Sequence, residues 1–177
     1  MTARTKSKAK PKDAIALLKA DHRKVEGLFA DYKKARTSDR KRTLAQQICL
    51  ELTVHTKIEE DVFYPACRED GVDEDLMDEA YVEHDGAKVL VREIETGDPD
   101  DDYYDAKVKV LSEMIKHHVK EEEKKQGNMF AKAKKAGVDV TALGERMAEE
   151  KQNLAAQYEE KGLPKPPTPT FTATQFI

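Results

Sequence analysis

The residues of this chain best suited to metal chemistry are two histidine–glutamate pairs with a spacing of four residues. His55 and Glu59 form the first pair, in HTKIEE, and His118 and Glu122 form the second, in HVKEE. Residues at i and i+4 lie on one face of a helix, so each pair can direct an imidazole and a carboxylate into the same volume. With two more histidines on separate predicted helices, the candidate ligands of a dinuclear metal site are His22, His55, Glu59, His84, His118 and Glu122.

Composition favours a helical protein of one domain. The 177 residues are 37% charged and 38% hydrophobic, with eight glycines and no tryptophan, a balance typical of long, solvent-exposed helices. No apolar run approaches the ~18 residues that a membrane span needs. The apolar segment AIALL is also too short for a signal peptide. We therefore expect an all-α, cytoplasmic protein without a membrane partner.

The two cysteines are consistent with a reducing compartment. Cys49 and Cys67 fall on one predicted helix, which places their Cα atoms ~27 Å apart. A disulfide requires Cα atoms within ~7 Å of each other. We therefore expect two reduced thiols, as is usual in the cytoplasm.

Apolar residues recur three and four positions apart along four predicted helices, and the candidate ligands fall within these apolar faces. The first helix begins after Asp13, a favourable N-cap residue, and ends near Arg36. The second begins near Ser38 and continues as one helix, with an apolar face that ends at Ala66. Both segments therefore present polar side chains at positions that should be buried.

The third and fourth helices repeat this pattern. The third begins at the cap residue Asp73 and stops at Gly97, and the fourth runs to a break at Gly127. On the fourth helix, His117 and His118 are neighbours that lie about 100° apart around the helix axis. Only His118 continues the apolar face, so we expect His118 to point inward.

The chain divides into four predicted segments. Residues 1–12 form a basic tail, residues 13–137 a four-helix bundle, residues 138–162 an additional packing helix, and residues 163–177 an extended tail rich in Pro and Thr. The basic tail has five Lys or Arg residues and no acidic or aromatic residue. A basic arm of this kind could contact nucleic acid, but we expect a solvated tail because the rest of the chain is acidic.

The burial of several ionisable side chains at one level argues for metal ligands. A buried polar group without a partner costs several kcal/mol, and an unpaired buried carboxylate costs more. In an up-down bundle, the four histidines lie at similar depths, roughly 14 to 17 Å from the shared end. The six side chains can therefore meet in one layer, where a metal would satisfy them together.

The donor atoms of these side chains restrict which metals the site can bind. Imidazole and carboxylate without thiolate suit iron, manganese or zinc. Two carboxylates can each bridge a metal pair and leave two histidines for each metal, with open positions for a small ligand. A redox-active pair of this kind indicates chemistry with dioxygen, peroxide or nitric oxide. The Glu-x-x-His spacing of ferritin-like di-iron bundles does not occur at any of the five histidines.

The ordered set of one histidine, HxxxE, one histidine and HxxxE on four helices resembles the hemerythrin family, in its HHE cation-binding branch. The resemblance covers about residues 13 to 137 and includes the FYP segment that closes the second helix. It implies an antiparallel up-down four-helix bundle with two non-haem iron ions and a bridging oxo or hydroxo group. By this resemblance the terminal ligands are His22, His55, His84 and His118, and the bridging carboxylates are Glu59 and Glu122.

The chain departs from oxygen-carrying hemerythrins at two positions. Those proteins have HxxxH on the third helix, whereas the residues four before and four after His84 are Ala80 and Lys88. They also use an Asp in HxxxxD where this chain has Glu122. Fewer histidines leave one iron more open, which argues against reversible oxygen carriage.

Three nearby residues are further candidates for contacts with the site. Tyr81, one helical turn from His84, could act as a ligand or hydrogen-bond donor, although core packing is its expected role. Glu51 and Glu60 could hold ligand histidines from outside, although we expect both on solvated faces.

Three functions are compatible with this site. The leading hypothesis is a di-iron protein that binds, senses or scavenges dioxygen, nitric oxide or peroxide. The first alternative is an oxidoreductase with peroxide-decomposing or ferroxidase turnover, and the second is a bundle in which zinc only stabilises the core. We expect a monomer or a small homo-oligomer.

Overall fold

The structure is a computed structural model that describes residues 13–123 and 127–171. The predicted basic tail, residues 1–12, lies outside the described residues, as does the end of the predicted extended tail. The elements in chain order are α1 (Ala14–Lys34), α2 (Ser38–Ile58), a π-helical turn (Glu59–Phe63), α3 (Tyr64–Glu69), α4 (Glu74–Thr96), α5 (Tyr104–Glu123), α6 (Met129–Ala136) and α7 (Val140–Lys161).

Helices α1, α2, α4 and α5 form the antiparallel four-helix bundle, so the predicted all-α fold is confirmed. Local sequence sets the ends of these helices. The carboxylate of Asp13 accepts a hydrogen bond from the amide of Ala16 at 2.7 Å, and the hydroxyl of Thr37 accepts one from Arg40. Such N-caps satisfy amides that have no partner within the helix.

The second predicted helix stays helical from Ser38 to Glu69, but it contains a π-helical turn that the sequence pattern did not predict. After Ile58 the chain forms the π-helical turn, in which the amide of Tyr64 donates to the carbonyl of Glu59. The wider turn holds one residue more than an α-helical turn, so the inward face shifts by one position. Cys67 is therefore fully buried, whereas Ala66, expected on the apolar face, is only partly buried.

The core consists of two apolar clusters with a polar layer between them. One cluster surrounds Leu18 and Ile58 and extends to α6 and α7, and the other surrounds Ile48 and Leu111 towards the opposite end. The candidate ligands occupy the helical positions between these clusters. The bundle thus excludes water from the polar layer on both sides.

Helix α7 packs on the outside of the bundle against α1 and α2, as predicted. Its buried face includes Met147, Leu154 and Tyr158. At Gly144 the backbones approach so closely that a Cβ atom would lie 2.7 Å from the backbone nitrogen of Ala14, which only glycine permits.

The segment after α7 is extended and returns across the bundle. We call residues 163–170 the C-terminal strap. At its end, the amide and hydroxyl of Thr170 donate to one oxygen of Asp85 at 2.8 and 2.7 Å. In the described part of the chain, no helix combines the length and apolar character needed to cross a membrane.

Candidate metal centre

The structure brings all six candidate ligands together in the polar layer. Their exposed fractions range from 0% to 5%. The π-helical turn begins at Glu59, and the other five residues lie within α1, α2, α4 and α5. Each therefore projects inward from an element held by packing on both sides.

The four imidazoles form two pairs through their Nε2 atoms. His22 and His55 approach to 3.1 Å, and His84 and His118 approach to 3.2 Å. Two nitrogens bound to one metal at ~2.1 Å lie about 3 Å apart. The spacing within each pair is therefore short enough for both nitrogens to reach one metal ion.

The two glutamates lie between the histidine pairs. Glu59 Oε2 is 3.2 Å from the Nε2 of His55 and 3.4 Å from that of His84. Glu122 Oε2 is 3.3 Å from His22 and 3.6 Å from His118. Each carboxylate thus contacts one histidine of each pair.

The hydrogen bonding of the glutamates also fits a metal centre. Within the described residues, neither oxygen of Glu59 has a hydrogen-bond partner, and neither does Oε2 of Glu122. Buried carboxylate oxygens without partners are strongly unfavourable. One group of potential metal ligands contains His22, His55, Glu59 and Glu122, and a second contains Glu59, His84 and His118. Cations at these two positions would satisfy the oxygens.

The pKa values in the layer reflect burial and mutual charge. Burial raises the pKa of Glu59 well above its usual value, and the neighbouring Glu122 carboxylate raises it further. Burial also acts to raise the pKa of Glu122, but His118 and His22 outweigh it and lower the pKa overall. Burial lowers the pKa of His55 to about 4. A neutral imidazole is the form that binds metal.

Each candidate ligand histidine also faces a carboxylate on its outer side, through Nδ1. Three of these contacts are hydrogen bonds between 2.8 and 3.1 Å, and the fourth is a longer contact of 3.6 Å. In the order of the histidines along the chain, the pairs are His22 with Glu123, His55 with Asp21, His84 with Glu60, and His118 with Glu83. We call these four acids the outer carboxylates. They favour the tautomer with a proton on Nδ1, which leaves Nε2 to bind metal.

The outer carboxylates form a closed ring around the bundle. Asp21 on α1 contacts the histidine of α2, and Glu60, just after α2, contacts the histidine of α4. Glu83 on α4 contacts the histidine of α5, and Glu123 on α5 contacts the histidine of α1. Every contact therefore joins two neighbouring helices at the level of the candidate ligands.

Three of these acids, Asp21, Glu83 and Glu123, were not predicted from the sequence. The signal was present, because each outer carboxylate is adjacent in sequence to a candidate ligand, and adjacent helical residues point about 100° apart. Glu60, considered as an outer partner, contacts His84. Glu51 pairs with Lys24 instead.

Each outer carboxylate also contacts a basic side chain besides its histidine. Lys88 Nζ lies 2.8 Å from Glu60, and the exposed His117 lies 3.3 Å from Glu83. The other two ion pairs join Lys151 to Asp21 and Arg23 to Glu123. Because Lys151 belongs to α7, the additional helix also supports the centre.

Tyr64, which the sequence analysis did not single out, contacts the centre directly. Its hydroxyl donates to Glu122 Oε1 at 3.0 Å and lies 3.4 Å from the Nε2 of His84. Tyr81, considered for this place, donates instead to the backbone carbonyl of Glu60. The shift of register at the π-helical turn directs Tyr64 inward.

Fold and site together define a helical bundle whose histidines and glutamates are arranged to bind metal cations. The chain belongs to the hemerythrin HHE cation-binding domain family, whose sequence profile matches residues 13–130. The family assignment made from the sequence is therefore confirmed.

Two individual proteins are similar to this chain. A solved structure of a hemerythrin HHE cation-binding domain-containing protein from Mycobacterium kansasii superposes with a TM-score of 0.70 at 21% identity, over 85% of this chain and 94% of that one. A protein from Nostoc sp. named DNA nickase is 29% identical over 107 residues, which are 60% of this chain and 30% of the relative. This chain therefore spans less than a third of that relative's length.

Proposed function

We propose that this protein holds two non-haem iron ions in the polar layer and binds, senses or scavenges a small ligand there. The main support for the proposal is that Glu59 belongs to two groups of buried potential metal ligands. One buried carboxylate within reach of both groups supports a dinuclear centre over two separate mononuclear sites.

The roles of the residues follow from their contacts. His22 and His55 would hold one ion, His84 and His118 the other, and the two glutamates would bridge them. When bound, such an iron pair supplies redox chemistry and open coordination positions for a small ligand. The protein's own residues orient the imidazoles through the outer carboxylates and exclude water with the two apolar clusters.

Oxidoreductase turnover is a second candidate that one specific observation favours. The hydroxyl of Tyr64 is a proton donor 3.0 Å from a candidate bridging carboxylate, in a buried site. Such a group could supply a proton during reduction of a peroxide. Turnover of peroxide or Fe(II) that is abolished in His118→Ala would support an enzyme over a binding protein.

Metal analysis is the experiment that tests the proposal. About two irons per chain in aerobically purified protein, with near-ultraviolet bands that shift on addition of azide or peroxide, are expected. Zinc without visible absorption would overturn the iron proposal and favour a structural metal. We propose no DNA-cleaving activity, because this chain matches only 30% of the length of the Nostoc protein named DNA nickase.

A further inference from the structure

A cavity of about 240 Å³ lies between α2 and α4, beneath α7 and the C-terminal strap. We infer that this cavity admits and holds an uncharged diatomic molecule, dioxygen or nitric oxide, on its way to the metal centre. The inference rests on the proposed function and narrows its class of ligands, because it favours a diatomic gas over peroxide.

The position of the cavity connects it to the centre. Three residues of its inner wall, Leu52, Ala87 and Ile115, each lie three residues from a candidate ligand histidine on the same helix. Residues three apart on a helix are neighbours on one face. A fourth lining residue, Glu60, contacts the Nδ1 of His84. The cavity therefore reaches the layer of side chains next to the metal site.

The chemistry of the walls selects the ligand. Leu52, Ala87 and Ile115 form an aliphatic part of the wall, while Thr53, Thr56 and Gln157 line other parts of the cavity. An apolar cavity of ~150 Å³ already binds benzene or xenon. The charged groups that line the cavity are engaged, since Lys57 pairs with Asp61, and Lys88 pairs with Glu60 and Asp85. Hydrogen peroxide must satisfy two hydroxyl donors, so its passage along the aliphatic part of the wall is costly. A diatomic gas has no such cost.

The C-terminal strap covers the cavity, and hydrogen bonds attach its end to the bundle. Pro164, Pro166 and Pro167 line the cavity, and proline stiffens the extended chain. The attachment is the pair of hydrogen bonds from Thr170 to Asp85, a fully buried carboxylate that also pairs with Lys88. The strap lies outside the family match, residues 13–130, so this cover is a property of the chain itself.

The first test measures dioxygen in the cavity without iron. In zinc-loaded, methyl-labelled protein, dissolved dioxygen should enhance the relaxation of the methyl groups of Ala87, Val91 and Ile115. The methyl groups of Leu18 and Ile58, in the other apolar cluster, are the buried controls. Equal enhancement at both sets would overturn the inference. Because zinc replaces iron, the result does not depend on the proposed function.

The second test measures access to the iron-loaded centre by stopped-flow absorbance. Thr170→Ala should accelerate association of nitric oxide, because it removes one of the two hydrogen bonds to Asp85. Thr168→Ala is the matched control in the same strap and should leave the rate unchanged. Ala87→Leu should slow association by filling the cavity. Rates for nitric oxide that are unchanged in both Thr170→Ala and Ala87→Leu would overturn the inference.

The choice of ligand class is tested in the same variants. If peroxide reacts through the cavity, Ala87→Leu will slow its reaction as much as that of nitric oxide, and the assignment to diatomic gases is then wrong. A protein that purifies without iron but shows dioxygen at Ala87 would contradict the proposed function while supporting the cavity.

Discussion

Glu59→Gln should stabilise the metal-free protein, an unusual outcome for a fully buried residue. Both carboxylate oxygens of Glu59 lack a hydrogen-bond partner among the described residues, and Glu122 Oε2 does as well. Glutamine has almost the same shape, carries no charge, and offers an amide donor to Glu122. A buried unsatisfied polar group costs ~1–3 kcal/mol, so we expect a gain of that order in the free energy of unfolding.

Glu60→Gln is the matched control, one residue further along the chain. Glu60 accepts hydrogen bonds from His84 Nδ1 at 3.1 Å and from Lys88 at 2.9 Å. Its neutralisation should lower the free energy of unfolding by ~1–3 kcal/mol, because charge-assisted hydrogen bonds are lost. The two adjacent Glu→Gln substitutions should therefore change the free energy of unfolding in opposite directions.

Thermal unfolding of metal-free protein at pH 7 measures both effects. In a chain of this size, each kcal/mol shifts the melting temperature by about 2–4 °C. With metal at 100 times the dissociation constant, wild-type protein should gain ~2.7 kcal/mol more for each ion bound, and Glu59→Gln should lose most of this increment. If Glu59→Gln melts as low as Glu60→Gln without metal, the reasoning about unsatisfied oxygens is wrong.

The difference in stability between metal-free Glu59→Gln and metal-free wild-type protein should also depend on pH. Burial, followed by the charge of Glu122, raises the pKa of Glu59 above its ordinary value of 4.5. Between the ordinary and the raised pKa, the folded state holds a proton that the unfolded state releases. Metal-free wild-type protein therefore loses stability as pH rises through this range. The advantage of Glu59→Gln should grow with pH, and an advantage that shrinks would refute this assignment.

The remaining predictions concern four other positions. His55→Ala should lose metal binding and its stabilisation, whereas the exposed Lys57→Ala should not, and equal melting temperatures with metal would count against the buried site. Glu123→Gln should weaken metal binding by about 10–100-fold in a competition assay with a chelator; unchanged affinity would exclude a positioning role. Tyr64→Phe should cost about 1 kcal/mol and shift the visible bands of the iron-loaded protein, and an identical spectrum would place the hydroxyl outside the centre. Gly144→Ala should cost ~1–3 kcal/mol in urea unfolding, because its methyl group would press on the backbone at Ala14; no loss would show that α7 can move away.

The helical fold and the set of candidate ligands were predictable because both depend on local periodicity. An apolar face at spacings of three and four shows which positions are buried, and His22 and His84 interrupt it as visibly as His55 and Glu59 do. The structure brings these residues to one layer, while their role as metal ligands stays a prediction.

The amino-acid sequence by itself determined the helix class, the family and the inward positions, because helical periodicity and N-caps act over a few residues. Only the tertiary structure decided the π-helical turn that directs Tyr64 inward, the ring of outer carboxylates, and the strap attached to Asp85. Each of these three features depends on which faces of the helices pack against each other. The residues in such contacts are up to 101 positions apart in the chain, as for His22 and Glu123, so packing between helices pairs them and local pattern does not.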